Sequence, residues 1–342
     1  MDAIIGLECA ECGRTYPVDE MVYRCGRCDY PLEVRYDYAK VATMISKEKL
    51  RDRKWTMWRY RELLPIRDKS KIVSLDEGGT PLLRASRLSE ALGLRNLYLI
   101  DETRNPTWSF KDRGTSVGVS KALEIGAKAV GCVSTGNMAA STAAYAAKAG
   151  IRGIVLIPSG TPMEKIVQML ICGAEVVAIR APYPRIFEVA LETSREHGMY
   201  MVHSDAPMRI EGQKTTSYEI CERLGWESPN YVVIPTSSAG NISAQWKGWR
   251  ELQEVGLVDA LPAMVAIQAE GNAPIVKAFK GGRDYVEPTK EPKTIAHAIA
   301  NPDPPSGRRA LKILRESEGL AEAVSDREIL EAQKLLAGTE GL

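Results

Sequence analysis

The chain has 342 residues, of which 45 are Lys or Arg and 44 Asp or Glu, for a formal net charge of +1; 44% are hydrophobic and 26% charged. That length exceeds one small core and suits two or three lobes, and the composition excludes a disordered or collagen-like chain. No apolar run approaches the roughly 20 residues that a bilayer requires, and the neutral balance argues against a dedicated nucleic-acid binder. The start, MDAIIGLECAECG, lacks the basic residues and long apolar stretch of a signal peptide. A cytoplasmic protein with neither nucleic-acid nor membrane partners is expected.

In chain order, residues 1–36 read as a small strand-rich ribbon. Cys9 and Cys12, then Cys25 and Cys28, form two Cys-x2-Cys pairs with twelve residues between them. Each pair turns back so that two thiolates converge, and two such knuckles complete a tetrahedral S4 site. Zinc is favoured over iron for an isolated site of this kind. The alternative, two disulfides, does not suit a reducing compartment. The other cysteines, Cys132, Cys172 and Cys221, are expected to fill apolar positions.

A charged helical connector follows over 37–75 (MISKEKLRDRKWTMWRYREL). From about residue 95 short apolar runs alternate with helical stretches: LYLI, AVGCVS, IRGIVLIP, AEVVAIRA, MYMVHS, YVVIP and MVAIQAE. Continuous apolar strands alternating with helices predict parallel sheets of an α/β fold, covered on both faces. Such folds bind ligands beyond the carboxyl ends of strands, at helix N-termini. The catalytic region is expected over 76–342 in two lobes, a small one at about 112–205 and a larger one from the remainder.

Three segments stand where that rule directs attention. In Asn105-Pro106-Thr107-Trp108-Ser109-Phe110-Lys111-Asp112-Arg113-Gly114, a lysine opens a helix beside an aromatic residue, a setting that can lower its pKa by desolvation. A solvated lysine at a helix start is the competing reading. Ser134-Thr135-Gly136-Asn137-Met138-Ala139-Ala140-Ser141 offers groups that either cap a helix or grip a carboxylate. Ser237-Ser238-Ala239-Gly240-Asn241, after YVVIP, has the small residues and free amides of a phosphate cradle at a helix N-terminus. Neither a P-loop nor a dinucleotide fingerprint is present. Taken together, the lysine, the Asn-bearing turn and the cradle describe a site for a phosphorylated aldehyde cofactor.

These motifs occur with Glu77-Gly78-Gly79-Thr80-Pro81, Arg209-Ile210-Glu211-Gly212-Gln213-Lys214-Thr215 and Gln268-Ala269-Glu270-Gly271-Asn272-Ala273-Pro274. In combination they resemble the threonine synthases, of the β-family (fold type II) of pyridoxal-phosphate enzymes, over essentially the whole chain. The resemblance implies that Lys111 bonds the cofactor aldehyde and shuttles protons at Cα and Cβ. Asn137 would bond the ring 3′-oxygen, and Ser237, Ser238, Ala239, Gly240 and Asn241 would hold the cofactor phosphate. Ser134 and Thr135 would lie beside the substrate carboxylate, with Ser204, Arg209 and Lys214 on the substrate phosphate. The implied reaction converts O-phospho-L-homoserine and water into L-threonine and phosphate, in a homodimer, with structural zinc on Cys9, Cys12, Cys25 and Cys28.

The chain departs from the family pattern at several points. Trp108 stands where many relatives have Gly, Met138 where a hydroxyl is common, and Ser237-Ser238 where Gly-Asn is usual. His203 replaces an Asn and is assigned no role. Relatives continue beyond a segment like AGTEGL into a Pro-Ala-Ser turn that meets the pyridine nitrogen, so a further C-terminal segment is expected. Cysteate synthase and threonine or serine dehydratase use the same scaffold; the stretch at 209–215 favours a phosphorylated substrate over a dehydratase. A non-catalytic zinc-ribbon sensor is the alternative from a different class.

Overall fold

The computed structural model describes residues 3–181, 183–204 and 206–342. Asp205, within the stretch read above as a phosphate grip, lies outside them, as do Met1 and Asp2 of the ribbon. Contacts divide the chain into two units: Met1–Gly79, Glu102–Thr216 and Glu254–Leu257 form the first, and Thr80–Asp101, Ser217–Gln253 and Val258–Leu342 the second.

The ribbon is an antiparallel sheet of β1 (Ile4–Cys9), β2 (Thr15–Tyr16) and β3 (Leu32–Tyr36), in the order β2-β1-β3. Leu32, Val34 and Tyr36 are buried and alternate with half-exposed residues, the period of two of a one-sided strand. Two short helices follow, α1 (Tyr38–Met44) and α2 (Lys47–Arg51). Asp37 and Ser46 cap them by accepting from the N–H groups of Lys40 and Lys49. The connector continues in two 3-10 stretches, Met57–Leu63, interrupted at Tyr60, and Lys69–Lys71. Met57, Arg59, Tyr60 and Leu63 are buried, so this charged stretch turns its apolar residues inward.

Next come β4 (Leu82–Arg84), α3 (Ser86–Ala91) and β5 (Tyr98–Ile100), in the second unit. The run LYLI, expected among the parallel strands, instead pairs antiparallel, Leu82 opposite Ile100. Both strands are half-exposed or exposed, a condition that antiparallel ladders tolerate and parallel ones rarely do.

The first unit then alternates helix and strand: α4 (Lys111–Glu124), β6 (Ala129–Val133), α5 (Asn137–Ala149), β7 (Arg152–Pro158), α6 (Met163–Ile171), β8 (Glu175–Ile179), α7 (Tyr183–His197), β9 (Met199–Met201) and α8 (Pro207–Gln213). The four strands form a wholly parallel sheet in the order β8-β7-β6-β9, and the inner strand β6 is buried along its whole length. Helices α4 and α8 meet backbone to backbone. A Cβ on Gly212 would lie 1.9 Å from the Arg113 carbonyl oxygen, and one on Gly114 would lie 2.9 Å from that of Arg209. Glycine at these two positions sets the depth of the crossing.

The second unit holds most of α9 (Thr215–Arg223) and α10 (Gly240–Glu254), together with β10 (Tyr231–Pro235), β11 (Ala263–Ala269), α11 (Pro274–Lys280), α12 (Gly307–Glu316), β12 (Leu320–Val324) and α13 (Asp326–Glu340). β10-β11-β12 is a second parallel sheet. Ser325 and Glu328 form a capping box at the start of α13, and Glu340 near its end accepts from the Leu88 N–H at 2.7 Å. The protein is thus an α/β fold with two parallel sheets and a small antiparallel ribbon. Among the described residues no helix is long and apolar enough to cross a membrane.

Candidate active site and cysteine cluster

Lys111 is the first residue of α4, and its N–H donates to the Ser109 hydroxyl at 3.3 Å. The turn before it passes through Trp108, whose φ of +60° lies in the left-handed region that favours glycine. Trp108 itself is exposed, whereas the Lys111 Nζ lies 3.4 Å from the Phe110 ring centroid. Burial of the ammonium, and then the charge of Arg209, hold the Lys111 pKa well below 10.5. A lowered pKa favours the neutral amine that nucleophilic and proton-transfer chemistry uses.

Two buried carboxylates hold this lysine's surroundings. Asp112 accepts from the Thr107 N–H at 2.6 Å, from the Thr107 hydroxyl, and from the Ser141 hydroxyl of α5 at 2.6 Å. Burial raises its pKa against the pull of those hydrogen bonds. Glu77 accepts from the Trp58 Nε1 at 2.8 Å, the Leu75 N–H at 2.9 Å and the Tyr145 hydroxyl of α5 at 2.7 Å. Burial first, and then the Glu77 charge, push the Tyr145 pKa up, so its hydroxyl stays a donor. Arg113 makes a two-pronged pair with Glu102, each contact 2.7 Å, the geometry that a guanidinium offers a carboxylate. The sequence points to Glu77, Asp112 and Ser141 only as members of motifs, and it gives Tyr145 and Trp58 no role. Only the Gly-rich turn after Glu77 signalled that network.

Asn137 opens α5 and is exposed, with Ser134 and Thr135 half-exposed in the turn after β6. The Ser134 hydroxyl accepts from the Gly136 N–H at 3.2 Å. Ser204 is half-exposed in the turn after β9. Arg209 lies in α8 with 2% of its surface exposed, close enough to Lys111 to act on its charge. Lys214 stands apart from this group: it is fully buried, it ion-pairs with Glu211, and its ammonium sits 4.5 Å from the Tyr36 ring centroid.

In the second unit, Ser237–Ala239 link β10 to α10, and Ala239 has a φ of +65°. Among the described residues, the N–H groups of Ser237, Ser238 and Ala239 donate to no protein group. Asn301 Nδ2 donates to the Ser238 hydroxyl at 2.7 Å, and the Ser306 N–H donates to the Ser238 carbonyl at 3.2 Å. The Asn241 Oδ1 and the Ser306 Oγ are buried without a hydrogen-bond partner. Undischarged amides, hydroxyls and orphaned polar atoms around a helix N-terminus fit an anionic phosphate.

In the ribbon, one ligand atom from each of Cys9, Cys12, Cys25 and Cys28 lies within 4.8 Å of the others. The Tyr16 hydroxyl donates to Cys25 Sγ at 3.3 Å and holds the Cys25 pKa down at about 6. Burial pushes Cys28 up to about 12. All four are free thiols rather than disulfides, and the donor set fits a soft tetrahedral ion.

Residues 73–342 match the family described as pyridoxal-phosphate dependent enzyme. The threonine synthase of Methanocaldococcus jannaschii is 47% identical over 335 residues, 98% of this chain and 82% of the relative. That of Methanosarcina acetivorans is 45% identical over 337 residues, again 98% and 82%. The chain belongs to the pyridoxal-phosphate-dependent enzymes and, among them, to the threonine synthases. Of solved structures, the threonine deaminase of T.th. is similar with a TM-score of 0.63 at 28% identity, covering 77% of this chain and 82% of that one. Maize serine racemase, at 0.66 and 21% identity over 77% and 76%, shares the fold.

Proposed function

We propose that the protein is a threonine synthase, converting O-phospho-L-homoserine and water into L-threonine and phosphate. The observation that carries this reading is Lys111, at the start of α4 with its ammonium against the Phe110 ring, the buried Arg209 acting on its charge and burial lowering its pKa, in a chain of this family. Pyridoxal phosphate, when bound, supplies the electron sink for charge that develops at the substrate Cα and Cβ. Lys111 takes a proton from Cα and one from Cβ and delivers protons to Cγ, once the phosphate has left it, and back to Cα, exchanges that a lowered pKa favours. Arg209, a fixed cation, and Ser204 hold the substrate phosphate until it leaves Cγ. Ser134 and Thr135 orient the carboxylate, Asn137 the cofactor ring, and Ser237–Asn241 its phosphate. Water adds at Cβ, so that one phosphate leaves for each water consumed. Lys214 acts behind Arg209, because its charge is engaged by Glu211 on the same helix side.

The same reading assigns structural zinc to Cys9, Cys12, Cys25 and Cys28, a homodimer, and a cytoplasmic location. It treats 1–36 as the ribbon, 37–75 as a connector, and 76–342 as the catalytic region with a small lobe near 112–205. The test is incubation of the cofactor-loaded protein with O-phospho-L-homoserine, following inorganic phosphate and chromatographing the amino-acid product. Equal amounts of phosphate and threonine support the reading. Phosphate with 2-oxobutanoate would assign a dehydratase-like outcome. No phosphate, with release from O-phosphoserine and sulfite instead, would replace it with cysteate synthase.

A further inference from the structure

The ribbon reaches the first unit's catalytic residues through two tyrosines, one at each end of the segment that carries Ser204 and Arg209. At one end, the hydroxyl of Tyr23, two residues before Cys25, accepts from the Met201 N–H at 2.7 Å. Its ring meets the edge of His203 with centroids 4.6 Å apart and that of Tyr200 at 5.7 Å. His203 is buried, also packs against Phe187 at 5.4 Å, and immediately precedes Ser204. At the other end, Tyr36, the last residue of β3, donates to Glu211 Oε2 at 2.7 Å. Glu211 shares α8 with Arg209 and also takes the ammonium of Lys214, which lies over the Tyr36 ring. Tyr36, Glu211 and Lys214 are all buried. A buried ion pair of this kind keeps its geometry only when further hydrogen bonds satisfy it, and here the ribbon supplies one.

We propose that the ribbon is a brace for the substrate-phosphate grip, with Tyr23 and Tyr36 as positioning residues that fix Met201 and His203 on one side and Glu211 on the other, and hence Ser204 and Arg209. The inference rests on the proposed assignment of those two residues to substrate phosphate. A third tether, Asp19, pairs with Lys121 at 3.1 Å and Arg67 at 2.6 Å. It lands on the far end of α4, ten residues from Lys111, so the brace bears on the phosphate grip far more than on the lysine. The ribbon therefore tunes affinity for the phosphorylated substrate and leaves cofactor attachment alone.

The test uses the full chain, loaded with metal and cofactor, as wild type, Tyr23→Phe, Tyr36→Phe and the double variant. Three quantities are read: the KM and kcat for O-phospho-L-homoserine, the Kd of inorganic phosphate by calorimetry, and the visible absorbance of retained cofactor. The double variant should raise KM and the phosphate Kd together by about tenfold, the scale of one or two lost buried hydrogen bonds, with kcat changed by less than about twofold and absorbance unchanged. Arg152→Ala, which removes only an exposed pair with Glu175, should move none of them. Should the double variant misfold, the two single variants take its place, each with a smaller rise in both constants expected. Unchanged KM and phosphate Kd in folded variants would overturn the proposal, as would cofactor loss in step with them. Weaker phosphate binding in variants of a protein that does not turn over O-phospho-L-homoserine would retain the brace and reject the proposed function.

Discussion

The Ser141 hydroxyl donates to Asp112 Oδ1 at 2.6 Å, tying the helix that begins at Asn137 to the helix that begins at Lys111. Asp112 also takes both donors of Thr107, so one buried carboxylate fixes the approach to Lys111 and the neighbouring helix at once. Ser141→Ala should lower the stability of the cofactor-free protein by about 1–3 kcal/mol, the cost of leaving a buried acceptor short of a donor. It should also speed cofactor loss. A denaturant midpoint equal to wild type would remove Ser141 from this role.

Lys111 gives a prediction with a defined sign. Its pKa in the folded protein is lowered by burial and then by Arg209, so between that value and 10.5 the unfolded chain binds more protons than the folded one. Stability of the cofactor-free protein then rises with pH through that window. Replacing the lysine with an uncharged side chain of similar length removes the penalty. Lys111→Met should therefore melt higher than wild type at pH 7, and the difference should shrink as pH approaches 10. It should also abolish the covalent chromophore and turnover. A melting difference that stays constant from pH 7 to 10 would contradict the assignment of the shift to this lysine.

The crossing of α4 and α8 depends on a missing side chain. A Cβ at position 212 would sit 1.9 Å from the Arg113 carbonyl oxygen and 2.5 Å from its carbon, both backbone atoms that cannot rotate away. Gly212→Ala should destabilise by about 3 kcal/mol, the upper range for overpacking. Any protein that still folds should bind inorganic phosphate more weakly, because α8 must shift and Arg209 with it. Wild-type stability in this variant would mean that the two helices pack less closely than described.

Those helices also mark where sequence reasoning reaches its limit. The cysteine spacing and the alternation of apolar runs with helices carry most of the fold, because both patterns are local. The antiparallel pairing of Leu82 with Ile100 was not legible, since a short apolar run looks the same in either direction. Lys111 and Asn137 stood out as residue types in turns or at helix starts, and Arg209 only through the family resemblance. Tyr145 and Trp58 did not, because an aromatic residue within a helix or connector reads as packing until its partner is known. The partners of Tyr145 and Trp58 meet at Glu77, 68 and 19 residues away along the chain. The contact of Lys214 with the Tyr36 ring was hidden for the same reason: it depends on the ribbon folding onto α8, whereas its pair with Glu211 is local.

Removal of the metal separates the ribbon's internal order from its attachment. Cys9, Cys12, Cys25 and Cys28 converge as free thiols, and neither knuckle has a disulfide to hold it once the ion is gone. The strands keep their own buried residues, Leu7, Leu32, Val34 and Tyr36, and Asp19 still meets Lys121 and Arg67. Chelation should therefore expose the four thiols to a thiol reagent and speed amide exchange around residues 9–28. Exchange in β6, buried along its length, should not change. Cofactor absorbance should persist, since Lys111, Asn137 and Ser237–Asn241 all lie outside the ribbon. Loss of the absorbance on chelation would mean that the cofactor site depends on the ribbon directly, and exchange unchanged at residues 9–28 would mean that the thiols hold their arrangement without an ion.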